Sequence, residues 1–229
     1  MKRLFLISVA TATLLCADTS AVINYSSLGV QAGTMGIGLD YSQKLKLLDE
    51  SVALKVAVAG FSYSTDFDDT DILYNANLKL ANIGLLVDYH PFGGGFYISA
   101  GVYYNGNSID YQATPIDGAY EINNNVYSAS EIDNIRGETD FSKVAPFIGI
   151  GYDNSLFGEG SLFFSSKLGV LYQGSPNIDL TGTCDQTIDG TLKCDQFKND
   201  IEAEQKTLNE DTDSLKWWPV VSIGVTYTF

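Results

Sequence analysis

The sequence predicts an all-β protein, an eight-stranded antiparallel transmembrane β-barrel with long extracellular loops. Three observations carry that reading. Several segments alternate strictly between apolar residues and small or polar ones, the period of a strand with two unlike faces. The last of them ends the chain on Phe229. Short and long connections alternate, and the excess acid lies almost wholly in the long ones. Composition agrees: 229 residues, 45% apolar and 18% charged, with 22 Gly, 14 Tyr and 12 Phe. Aromatic and β-branched residues are too plentiful for a disordered chain. A net charge of −15 leaves nothing to neutralise phosphates, which argues against a nucleic-acid partner.

Residues 1–17 read as a signal peptide, with Lys2 and Arg3 ahead of a short apolar stretch and cleavage as late as residue 21. Residues 22–229 then form a single barrel domain, and the compartment is the outer membrane of a Gram-negative bacterium. Cys16 follows Leu14 and Leu15 where a lipid-attachment site needs small residues, so lipidation is disfavoured.

Leu28, Val30 and Ala32 share one phase, and Met35, Ile37, Leu39 and Tyr41 the other. A two-residue Gly33-Thr34 turn explains that switch, and a bulge within one long strand is the alternative. An even strand number favours the hairpin. Val52 to Val58, Ile83 to Tyr89, Phe96 to Tyr104, Val144 to Tyr152, Leu162 to Tyr172 and Val221 to Phe229 supply six more strands. In each the apolar phase suits lipid, and the opposite phase is read as Gly, Ser, Lys and Asp facing the lumen. Tyr227 and Phe229 match the terminal aromatic signal that barrel-insertion machinery reads. Tyr63, Tyr104, Tyr152, Tyr172, Trp217 and Trp218 lie near strand ends, as aromatic girdles or as ordinary core packing.

Residues 43–50, 91–95 and 153–160 are short connections, and residues 64–73, 114–139 and 181–214 are long loops. The long loops carry net charges of −4, −4 and −6. Asp66, Asp68, Asp69 and Asp71 make the first an acidic extracellular mouth, read either as a solvated surface or as a funnel for cations. Phe197, Ile201 and Leu208 have near-helical spacing, which predicts a surface helix over 195–211. Cys184 and Cys194 are an even pair with nine residues between them, and a disulfide is favoured over a metal site.

Asp40, Lys55, Asp88 and Lys167 are the charged candidates on the lumen face. Either they form a Lys–Asp network that plugs the barrel, or the inward Gly36, Gly38, Gly84, Gly101, Gly149, Gly151, Gly169 and Gly224 leave a narrow wet path. No catalytic constellation, cofactor motif or metal motif is present. His90 is the sole histidine, and Gly93-Gly94-Gly95 opens a strand where a phosphate loop would open a helix.

Residues 32–38 (AGTMGIG), 90–101 (HPFGGGFYISAG), 143–151 (KVAPFIGIG), 172–177 (YQGSPN) and 218–220 (WPV) resemble, in this order, the CarO-type outer-membrane proteins. Those are eight-stranded barrels of the carbapenem-associated, ornithine-uptake type. The resemblance implies a monomeric barrel that admits small molecules, basic amino acids above all. The Cys184/Cys194 pair and the acidic helical stretch depart from that type, and no ligand-contacting residue carries over. The expected function is therefore a narrow porin-like channel for passive uptake of small, cationic solutes. The alternative is a non-conducting barrel whose acidic loops bind partners or ions. Outer-membrane lipid and lipopolysaccharide, the insertion machinery and small solutes are the expected partners.

Overall fold

The computed structural model describes residues 22–69, 72–115, 118–214 and 216–229. The expected leader, including Cys16, lies outside the described residues, as does Asp71. The elements run β1 (Val22–Gly33), β2 (Gly36–Leu45), β3 (Val52–Asp69), β4 (Ile72–Tyr89) and β5 (Phe96–Asn105). They continue with β6 (Ser108–Pro115), β7 (Ala119–Ile122), β8 (Asn125–Ser128), β9 (Ile132–Asp140) and β10 (Val144–Asp153). The chain ends with β11 (Leu162–Tyr172), β12 (Asn177–Cys184), α1 (Leu192–Thr212) and β13 (Trp217–Thr228).

Eight of the strands close into an antiparallel barrel in the order β1-β2-β3-β4-β5-β10-β11-β13, with β13 returning to β1. Closure leaves no sheet edge within this layer, which any strand structure in hydrocarbon requires. Leu28, Val30, Ile37, Val58, Ile83, Leu85, Ile98, Val102, Ile148, Leu168 and Ile223 are all exposed on the outside. A contiguous apolar exterior of this extent is compatible with lipid and not with water, so the barrel is a transmembrane one. Tyr25, Tyr41, Tyr89, Tyr152 and Tyr227 ring its short-turn end, and Tyr104, Tyr172 and Trp217 ring the other.

The first hairpin forms, but one residue later than expected. Gly33 pairs with Gly36, leaving Thr34 and Met35 at the tip. The glycine that the turn needs is Gly36, just after the tip, whose φ of 97° lies in the left-handed region that favours glycine. Thr34 holds this register: its hydroxyl donates to the Pro219 carbonyl at 2.8 Å and accepts from the Val221 N–H at 3.1 Å. Met35 consequently turns into the lumen instead of joining Ile37 and Tyr41 on the lipid face.

The three connections expected as long loops are largely ordered secondary structure. β3 and β4 run on past the barrel as a paired ribbon to Asp69 and Ile72. Beside them β6, β9 and β12 extend the same sheet, and α1 packs against β12. The strands cross from lipid to this platform at Gly60, which pairs with Ala81. Below that level the outward phase is Val58 and Ile83; above it the same phase is Ser62, Ser64, Lys79 and Asn77. The apolar residues there, Phe61, Tyr63, Leu78 and Leu80, occupy the phase that faces the lumen lower down. Tyr63 therefore belongs to the platform and not to a girdle. Trp218 is likewise turned inward, against the lumen core.

Candidate functional site

Two places concentrate chemistry, the lumen and the platform. In the lumen, Lys55 on β3 lies 2.7 Å from Asp88 on β4, with 7% and 2% of their side chains exposed. The Lys55 ammonium also sits 4.6 Å from the centre of the Tyr97 ring. Lys167 on β11 donates to the Tyr103 hydroxyl at 3.2 Å. Asp40 on β2 is buried beside Gly29, where a Cβ would come within 2.8 Å of both carboxylate oxygens. The structure thus brings Lys55 and Asp88 together, pairs Lys167 with a tyrosine, and leaves Asp40 without a direct ion pair among the described residues.

Asp153, which the strand pattern did not single out, joins this group. It accepts from the Ser155 N–H at 2.9 Å and the Thr226 hydroxyl at 3.2 Å. His90 closes the short-turn end. Its Nδ1 is 2.8 Å from the Gly94 carbonyl, and its ring packs 4.4 Å from that of Phe157.

The other half of the lumen is apolar. Met35, Leu86, Tyr103, Phe147, Leu171 and Val220 form one buried cluster there. At Gly84, Gly149, Gly151 and Gly169 the room expected for a wet path is taken by neighbouring rings. A Cβ on Gly84 would fall 2.4 Å from the Tyr103 ring, on Gly151 2.3 Å from Tyr97, and on Gly149 or Gly169 2.7 Å from Phe147. Cavities beside Lys167 and beside Asp88 each have room for about one water molecule. The signal for this plug was in the alternation itself: Leu86, Tyr97, Tyr103, Phe147 and Leu171 are large residues in the inward phase.

On the platform, Asp66 of β3 accepts a hydrogen bond from the Asn75 amide at 2.5 Å. Asp68 and Asp69 follow on the same strand, opposite Leu73 and Ile72. The acidic mouth is therefore the end of a ribbon. Cys184 and Cys194 are joined in a disulfide with a Cα separation of 6.0 Å, tying the end of β12 to the first turn of α1. The Thr191 hydroxyl caps that helix by accepting from the Cys194 N–H.

Phe197 and Ile201 of α1 pack into a second core with Ile122, Tyr127, Ile178 and Leu180. Helix α1 also covers the outer edge of β12. The Asn209 amide both accepts from the Ile178 N–H and donates to its carbonyl, each at 2.8 Å, and Gln205 accepts from the Leu180 N–H at 2.9 Å. These two side chains, one helical turn apart, stand in for a neighbouring strand.

Asp200 latches the β7–β8 hairpin to the helix. Its carboxylate accepts from the Tyr127 hydroxyl and from the Asn123 and Asn125 amides. The Tyr127 bond first, and then the two amides, hold the carboxyl below the usual carboxylate range. Such a group stabilises the fold fully above its unfolded pKa of about 4, and that contribution is lost as pH falls through the depressed folded value. Replacing Asp200 by Leu leaves three donors without their acceptor. Amide exchange in residues 119–128 is expected to rise about tenfold or more at neutral pH, equivalent to about 1–3 kcal/mol. The wild type should approach the same exchange behaviour only in strong acid.

No family model and no curated protein matches the chain. Solved structures do match across nearly its whole length, two CarO proteins among them. The crystal structure of Acinetobacter baumannii CarO is 23% identical with a TM-score of 0.55, covering 89% of this chain and 97% of that one. The crystal structure of Acinetobacter baumannii CarO2 is 19% identical with a TM-score of 0.54, covering 90% and 98%. The closed eight-stranded barrel described above is the fold of the CarO-type outer-membrane proteins.

Proposed function

We propose that this protein is an outer-membrane barrel, closed in the conformation described, that serves as a rigid mount for its platform. The signal-like leader and the terminal Tyr227 and Phe229 support delivery to the insertion machinery. The orientation follows, with the short turns in the periplasm and the platform outside among lipopolysaccharide. The observation that carries the reading is the filled lumen. An apolar cluster lies in series with a paired Lys55–Asp88, and a solute would have to displace both. The closed ring of eight strands satisfies its own edges, and we propose that it acts as a monomer.

A second reading has its own support. Asp40, Asp88 and Asp153 outnumber Lys55 and Lys167 in the lumen, and the mouth is acidic. A small cation, such as a basic amino acid, would be the preferred solute if the plug opened. Single-channel conductance and liposome uptake, comparing ornithine with glutamate at low and high salt, separate the two. Silence from protein shown to be a folded barrel is the expected result. Salt-sensitive ornithine passage that falls when Asp66, Asp68, Asp69 and Asp71 are neutralised would establish the channel instead.

A further inference from the structure

The geometry points to β3 beyond Gly60 as a docking edge for a cationic, extended polypeptide segment from outside the cell. β2 pairs with β3 only as far as Gly60. From Phe61 to Asp69 the strand pairs with β4 on one side, and no backbone partner lies on the other among the described residues. That is an open edge about 30 Å long.

Its donors and acceptors can be assigned. A Cβ on Gly36 would meet the Gly60 carbonyl, so that carbonyl points toward β2 and away from β4. Antiparallel alternation then directs the N–H and C=O of Ser62, Ser64 and Asp66 toward the open side. Ser62, Ser64 and Asp66 are exposed. On β12 Gln205 and Asn209 cover the equivalent groups, and among the described residues nothing comparable covers β3.

Charge selects the occupant. Asp66, Asp68 and Asp69 lie on this edge strand with no base between Phe61 and Asp69. A second copy paired antiparallel along the whole of Phe61–Asp69 would set Asp66 and Asp68 against Ser64 and Ser62, gaining the ladder but no opposite charge. A strand carrying Lys or Arg would gain both the ladder and the opposite charge. The other phase presents Phe61 and Tyr63, stacked at 6.5 Å and 46% and 55% exposed. The fitting segment therefore alternates basic and apolar residues.

This inference rests on the platform being the working part of the protein. The conductance experiment tests that reading separately, and failure of peptide binding would leave the closed lumen untouched. The probe is a fluorescent nine-residue peptide alternating Lys and Val, titrated by anisotropy against the full chain folded in detergent micelles. Binding that weakens with salt is expected, with none for the matching Glu/Val peptide. Ser62→Pro and Ser64→Pro each remove an N–H that faces only the open side, a position where edge strands tolerate proline. Each should weaken binding tenfold or more while the barrel keeps its heat-modifiable gel mobility. Asp66→Asn with Asp68→Asn and Asp69→Asn should weaken it and flatten the salt dependence.

Wild-type affinity in both proline variants would mean simple electrostatic adsorption and would overturn strand addition. So would absence of binding to the wild type. A dimer in sedimentation that the proline variants abolish would assign the edge to a second copy and overturn the peptide as occupant.

Discussion

Truncating Tyr103 and Phe147 together to alanine is expected to turn a silent barrel into one that passes ions across a planar bilayer. The two rings meet edge to face at 5.7 Å, on strands β5 and β10, which are neighbours in the barrel wall. Tyr103 covers Gly84 on β4, and Phe147 covers Gly149 and Gly169 on β10 and β11. Because those neighbours have no side chains, they contribute nothing that could collapse into the gap. Each large-to-small change in a packed core costs about 3–5 kcal/mol, so the variant should also unfold at lower denaturant. The gap would border the charged half of the lumen, where Lys167 loses its hydroxyl partner, and water entry there is favoured over an empty cavity. Conductance in the double variant but not the wild type would locate the barrier at this cluster. A variant that folds and stays silent would move the barrier to the platform above the barrel.

Replacing Lys55 by Met is expected to destabilise the barrel by about 3–5 kcal/mol, because Asp88 is left charged, buried and unpaired. The loss is much greater than for any surface pair here, such as Lys206 with Glu210 at 3.9 Å on the exposed side of α1. Changing Asp88 to Leu in the same chain should restore most of the stability, since an apolar pair of similar volume avoids the desolvation cost of both ions. Urea refolding into micelles, followed by the mobility shift between folded and boiled protein, measures all three chains. Equal destabilisation in the single and double variants would show that Lys55 acts through its packing on Tyr97 and not through the ion pair.

Much of this architecture was legible residue by residue. The alternation at Phe96 to Tyr104, Val144 to Tyr152 and Leu162 to Tyr172 places each lipid-facing side chain correctly, and the eight barrel strands follow from it. The spacing of Phe197, Ile201 and Leu208 predicts a helix over 195–211, and α1 runs from Leu192 to Thr212. The platform strands fall in segments expected as loops, although Phe61, Tyr63 and Thr65 alternate with Ser62, Ser64 and Asp66. Their apolar phase is opposite to that of Val56 and Val58, because the strand leaves lipid at Gly60 and its outward face meets water from there on. A rule that expects one apolar phase per strand sees this reversal as the end of the strand.

Period, phase and charge placement are properties of neighbouring residues, and the sequence by itself determined them: eight crossing strands, an excess of acid opposite the short turns, and a helix. The tertiary structure alone decided the rest. Thr34 reaching Pro219 and Val221 set the first hairpin's register and sent Met35 inward. Tyr97, Tyr103 and Phe147 filled the space beside glycines on other strands, and Lys55 chose Asp88 among three lumen carboxylates. The physical reason is that alternation says which way a side chain points. Whether that direction ends in water, an ion partner or another ring depends on residues far away in the chain, brought opposite only when the barrel closes.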